Sequence, residues 1–93
     1  MILEKMIEAY LRNQVKKRGG IAFKFVSPGY NGVPDRLIVM PGGSMYFVEV
    51  KNERGRLSPL QVQCHKMLKA LGVHVYVIWS KEDVDAFMEI INV

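Results

Sequence analysis

A single cysteine, Cys64, excludes an intramolecular disulfide and a cysteine-based zinc site in this 93-residue chain. The two histidines, His65 and His74, are not spaced with each other or with a cysteine as zinc ligands are. No apolar run approaches the ~20 residues needed to cross a bilayer, so no membrane association is expected. No signal peptide is read, because the first fifteen residues already form an amphipathic pattern. Cytoplasmic localisation is the resulting expectation. Repeats, linkers and low-complexity segments are absent, and the length suits one domain over residues 1–93. The charge excess is small: a net +4 with a pI near 9.4 leans toward an anionic partner such as nucleic acid, though a solvated basic surface accounts for it equally.

What is present is periodicity. Ile2, Leu3, Met6, Ile7, Tyr10, Leu11 and Val15 form one apolar stripe and predict a helix over 2–17, ended by Gly19-Gly20. Alternation predicts a strand over 21–26, and Ser27 to Pro34 is rich in turn formers. Strands over 35–40 and 45–51 flank Pro41-Gly42-Gly43-Ser44 and pair as an antiparallel hairpin. Ser58, Pro59 and Gln61 form a helix start with a capping box. That helix carries Leu60, Cys64, Met67, Leu68 and Leu71 as its apolar stripe and stops at Gly72. Cys64 on that stripe reads as a small core hydrophobe. Residues 73–79 read as a strand buried on both faces. Ser80 caps a last helix carrying Val84, Phe87, Met88 and Ile91. The expected fold is α/β in the order α-β-β-β-α-β-α, a mixed sheet flanked by helices.

The chemistry concentrates on the hairpin. Pro34-Asp35 precedes its first strand, and Glu49-Val50-Lys51 ends its second. Side chains alternate along a strand, so Glu49 and Lys51 share a face with Cα atoms about 7 Å apart, and antiparallel pairing sets Asp35 opposite them. Two carboxylates held together repel unless a cation or proton intervenes. A hard divalent ion resolves that conflict through oxygen ligands, with the Val50 carbonyl as a further donor. A lysine alongside can orient water or steady a phosphate. The alternative is a turn residue at Asp35 and an exposed Glu49–Lys51 ion pair worth little. Charges in the otherwise apolar string Phe47-Val48-Glu49-Val50-Lys51 weigh toward a site.

These residues resemble the PD-(D/E)xK nuclease signature. The longer blocks Gly32-Val33-Pro34-Asp35, Phe47-Val48-Glu49-Val50-Lys51 and Arg56-Leu57-Ser58-Pro59-Leu60-Gln61 are similar to the viral-type replication and repair nuclease domain, VRR-NUC. The resemblance extends over the chain and is weakest over 80–93. It implies a restriction-endonuclease-like core and a Mg²⁺-dependent DNA endonuclease, with Mn²⁺ able to substitute and no organic cofactor. Small stand-alone members, mostly phage-encoded, are similar to Holliday-junction resolvases and act as homodimers. That points to branched DNA and a bacterial host cell; cutting of flaps or forks, less specific cleavage, and DNA binding without cleavage are the alternatives, and a purely structural or protein-interaction domain stands as a further one. By the same likeness Asp35 and Glu49 are metal ligands, Lys51 positions water or phosphate, Gln61 supports the site, and an acid on the first helix completes it. Glu8 is preferred to Glu4, with an i,i+4 pair to Arg12 as its competing role. Gln61 has the capping box as its competing role.

Arg54 and Arg56, then Lys24, Arg36, Tyr30 and Asn31, are candidate DNA contacts, through phosphates for the cations and stacking or branch-point contact for the loop. Each cation is equally read as solvated surface. His65 is placed on a helix surface and His74 at a strand start. Met40, Tyr46, Phe87 and Met88 are candidates for a two-fold interface, with the core as their alternative.

Overall fold

The computed structural model describes residues 3–91. Its elements are α1 (Glu4–Lys17), β1 (Ile21–Lys24), β2 (Arg36–Val39), β3 (Met45–Val50), α2 (Pro59–Ala70), β4 (Val75–Ile78) and α3 (Lys81–Ile90). The order matches expectation, with strands shorter by one or two residues at their ends. Ile2, assigned to the first helix, lies outside the described residues.

The sheet order is β1-β2-β3-β4. β1–β2 and β2–β3 are antiparallel, and β3–β4 is parallel, joined by the α2 crossover. The register Arg36↔Val48 and Val48↔Tyr76 fixes which side chains share a face. On one face Ile38, Val48, Val50 and Ile78 are buried against Ile7, Leu11 and Val15 of α1 and Val84, Phe87 and Met88 of α3. Ser80 caps α3 by accepting from the Asp83 amide, and Tyr10 ties α1 to α3 by donating to Asp85 at 2.7 Å. Phe87 and Met88 therefore belong to the core, with Met40 and Tyr46 packed against it, and not to a free interface.

The opposite face is covered only toward β4. There α2 buries Cys64 and His65, while Leu60, Met67 and Leu71 of the expected stripe are exposed. α2 packs against β4, and its covered seam is rotated toward Cys64 and His65. Ile21, Phe23 and Met45 are consequently exposed on this face. β4 is an edge strand, with Val75 and Ile78 buried but Tyr76 and Val77 only half-buried, so the expected burial on both faces holds for part of it. No helix among the described residues is long and apolar enough to cross a membrane.

Candidate active site

Three elements bring the site together. Asp35 enters β2 one residue before Arg36, and the Arg36↔Val48 pairing extends to set Asp35 against Glu49. The loop before it is held by Gly32, whose φ of +88° suits glycine and whose absent side chain leaves room for the Leu60 carbonyl. A Cβ there would stand 2.4 Å from that oxygen. The loop therefore rests on the first turn of α2, next to Gln61. Pro34 is fully buried and sets the direction into Asp35.

Glu49 is only 4 % exposed. Its carboxyl is pushed up to about 7, first by burial, then by the Asp35 carboxylate, with Lys51 pulling the other way and Glu4 adding to the rise. Lys51 Nζ lies 3.9 Å from Glu49 Oε2, a loose pair that cannot neutralise the whole cluster. Asp35 is also raised, by burial and then by Glu8; Arg36 and the nearby amides of Val50 and Asp35 offset part of this. Asp35 Oδ1 and Glu49 Oε1 are buried without a hydrogen-bond partner. Lys51 N–H donates to Ile78 O at 2.9 Å, so the trans peptide directs the Val50 carbonyl to the opposite, Asp35 side.

Both acids of α1 reach this place. Oxygens of Glu4, Glu8 and Asp35 lie within 4.8 Å of one another. Glu8 is paired with Arg36 at 3.0 Å, not with Arg12. Glu4 has no such pair among the described residues, and its carboxyl is raised by burial, with Lys51 opposing and Glu8 and Asp35 adding. The geometry thus brings Glu4 as well as the preferred Glu8 to Asp35. A helix places i and i+4 on one face, and α1 directs that face at Asp35. Arg36, expected among the DNA contacts, is committed to Glu8 with a side chain 12 % exposed.

Gln61 closes the capping box: its Oε1 accepts from the Ser58 amide at 2.9 Å, and its own amide donates to Ser58 Oγ at 3.1 Å. Lys24, Arg54, Arg56, Tyr30 and Asn31 are exposed. Tyr30 and Asn31 line a cleft of about 260 Å³ against Leu60, Gln63 and Cys64. His65 is 4 % exposed, not a surface residue as its sequence position suggested, and its Nε2 is buried without a partner. Burial, then the charges of Lys69 and Lys51, hold its imidazole below the usual range. One turn from Gln61, it shares the covered seam of α2; that spacing is a signal in the sequence, but nothing there separated it from an exposed position. Trp79 is a second residue that sequence reasoning passed over: its indole N–H donates to Gly55 O at 3.1 Å, across the connection leaving Lys51.

A mixed sheet with buried carboxylates and one lysine converging at the Asp35–Lys51 end of the central β2–β3 pair defines the class as a nuclease domain. The chain belongs to the VRR-NUC domain family, whose sequence pattern matches residues 4–82. It is 42 % identical over 92 residues to the protein named "Putative nuclease p44" of Acyrthosiphon pisum secondary endosymbiont phage 1, covering 99 % of this chain and 98 % of that protein. It is also similar to a solved VRR_NUC domain, with a TM-score of 0.87 and 32 % identity over 92 % of this chain and 94 % of the other.

Proposed function

We propose that the protein is a divalent-metal-dependent endonuclease that hydrolyses phosphodiester bonds in branched DNA, resolving four-way junctions as a homodimer. The observation that carries this is the set of buried, unpartnered oxygens, Asp35 Oδ1 and Glu49 Oε1, beside Glu4 and Glu8. Such a cluster fits a hard cation: all its donors are oxygens, and its acids are pushed toward protonation, first by burial and then by the neighbouring carboxylates. Asp35, Glu49, the Val50 carbonyl and an acid of α1 would hold Mg²⁺ or Mn²⁺. When bound, the ion supplies a Lewis acid for the phosphoryl oxygens and lowers the pKa of water.

The protein residues act around it. Lys51 keeps its ammonium at the same place by its contact with Glu49 and offers donors to the scissile phosphate or the attacking water. Gln61 is held by the helix cap and lies beside the loop that delivers Asp35. Arg54, Arg56 and Lys24 supply sequence-independent phosphate attraction. Tyr30 and Asn31 stand at the exposed loop, where a branch point can reach them. The uncovered sheet face with Ile21, Phe23 and Met45 supports pairing of two copies, which gives two sites for two strands.

The test is cleavage of labelled four-way junction, flap, fork and linear duplex by wild type and Lys51→Ala, with and without Mg²⁺. Junction cutting that needs Mg²⁺ and is lost in Lys51→Ala is expected, with a dimer in sedimentation. Preference for flap or fork would correct the substrate, and a mutant that cuts as well as wild type would refute the mechanism.

A further inference from the structure

Trp79 is the only tryptophan of the chain and sits one residue past the end of β4. Extending the Val50↔Ile78 pairing by one sets it beside Lys51 on the adjacent strand, roughly 4.8 Å across the sheet. Both of its N–H groups are already satisfied: the backbone amide donates to Asp83 at 2.9 Å and the indole N–H to Gly55 O. Yet 36 % of the residue remains exposed. Gly55 O also accepts from Arg56 Nη1 at 3.3 Å. One carbonyl thus gathers an indole and a guanidinium, on the connection that leaves Lys51. Arg56 has no carboxylate partner among the described residues, and the cation–π contact found there is Lys81 over Tyr10, so no cation occupies the Trp79 ring.

Resting on the nuclease reading, we propose that Trp79 and Arg56 form a nucleotide subsite flanking the metal site, in which the indole stacks on an unpaired base and the guanidinium takes the phosphate of the same strand. An aromatic face beside a guanidinium without a carboxylate partner among the described residues is complementary to a nucleotide, and not to an apolar peptide or a paired duplex. A base can reach a side-chain ring only when it has left its own stack, so the subsite selects strands that are open next to the cut. Gly55 matters because its carbonyl fixes the two groups side by side. Its neighbour Asn52 closes the turn by accepting from the Arg54 amide through Oδ1 at 3.0 Å.

Because Trp79 is the sole tryptophan, its emission reports this subsite directly. Branched DNA with unpaired nucleotides at the branch, and a fully paired linear duplex, are titrated in Ca²⁺, with binding followed in parallel by anisotropy of labelled DNA. Quenching by the branched DNA is expected. Trp79→Leu should weaken that binding about 5- to 100-fold, the value of one stacked base, and the linear duplex much less. Trp79→Phe, which keeps a ring, should restore most of the loss, and Arg56→Gln should lower the salt slope by about 1. DNA that binds without changing the emission overturns the subsite, as does a folded Trp79→Leu variant that binds branched DNA like wild type, or a Trp79→Phe variant that binds no better than Trp79→Leu. Complete absence of DNA binding overturns both readings. Quenching with no cleavage in Mg²⁺ would remove the nuclease reading and leave the subsite standing.

Discussion

Arg36 Nη2 stands 3.0 Å from Glu8 Oε2, joining β2 to α1 beside the acidic cluster. The pair sets the charge that the cluster presents. It occupies one of the two α1 acids and leaves Glu4 as the one without an ion pair among the described residues. Arg36→Gln should therefore cost about 1–3 kcal/mol in urea denaturation, as a charged hydrogen bond is lost. The salt slope of DNA binding should stay as in wild type, because Arg36 does not face phosphate; a slope lower by about 1 would show that it does. By the same logic Glu4→Gln should weaken Mg²⁺ binding in calorimetry more than Glu8→Gln.

Glu49 predicts an unusual pH dependence for the metal-free protein. Its folded carboxyl titrates at about 7 against an ordinary 4.5. Between these values the folded state holds the proton that the unfolded state has lost, so stability falls as pH rises through that window. The loss is up to about 3 kcal/mol, and Glu49→Gln should abolish most of it. Saturating Mg²⁺ should reverse the sign, since the ion needs the ionised form. Its stabilisation, read as a shift in Tm, should grow as pH rises to about 7.

Gly32→Ala tests the loop that delivers Asp35. The added Cβ meets the Leu60 carbonyl and the backbone sits at φ +88°. A loss of more than about 2 kcal/mol is expected, with a fall in cleavage that stabilising osmolyte does not fully restore. A variant as stable as wild type would mean that the loop does not lean on α2.

His65 acts in the opposite direction to Glu49. Burial keeps its imidazole neutral below the usual 6.5. The unfolded state then takes up the proton first, so stability is lost as pH falls below about 6.5. His65→Leu should flatten that acid limb in thermal denaturation while staying within about 1.5 kcal/mol of wild type at pH 8. An unchanged acid limb would show that other groups set it.

Local rules carried much of this protein. The Ile7, Leu11 and Val15 part of the α1 stripe (its Leu3 and Met6 are exposed), the Ser58–Gln61 box and the Pro34 and Gly32 punctuation depend on neighbours a few residues apart, which a sequence displays directly. The hairpin placed Asp35 against Glu49 because a short connection and strand alternation leave few other registers. Other features depend on how layers are laid together. The rotation of α2 that buried His65 and exposed Leu71, the edge position of β4, and the removal of Met88 into the core are of this kind. So are the Glu8–Arg36 pair and the contact between Trp79 and Gly55, whose partners lie 28 and 24 residues apart. The sequence by itself determined the elements and the residues of the acidic centre, since periodicity and turn chemistry are local. Only the tertiary structure decided which charges those acids meet and which side chains stand beside them, since such contacts are made by segments that the chain keeps far apart.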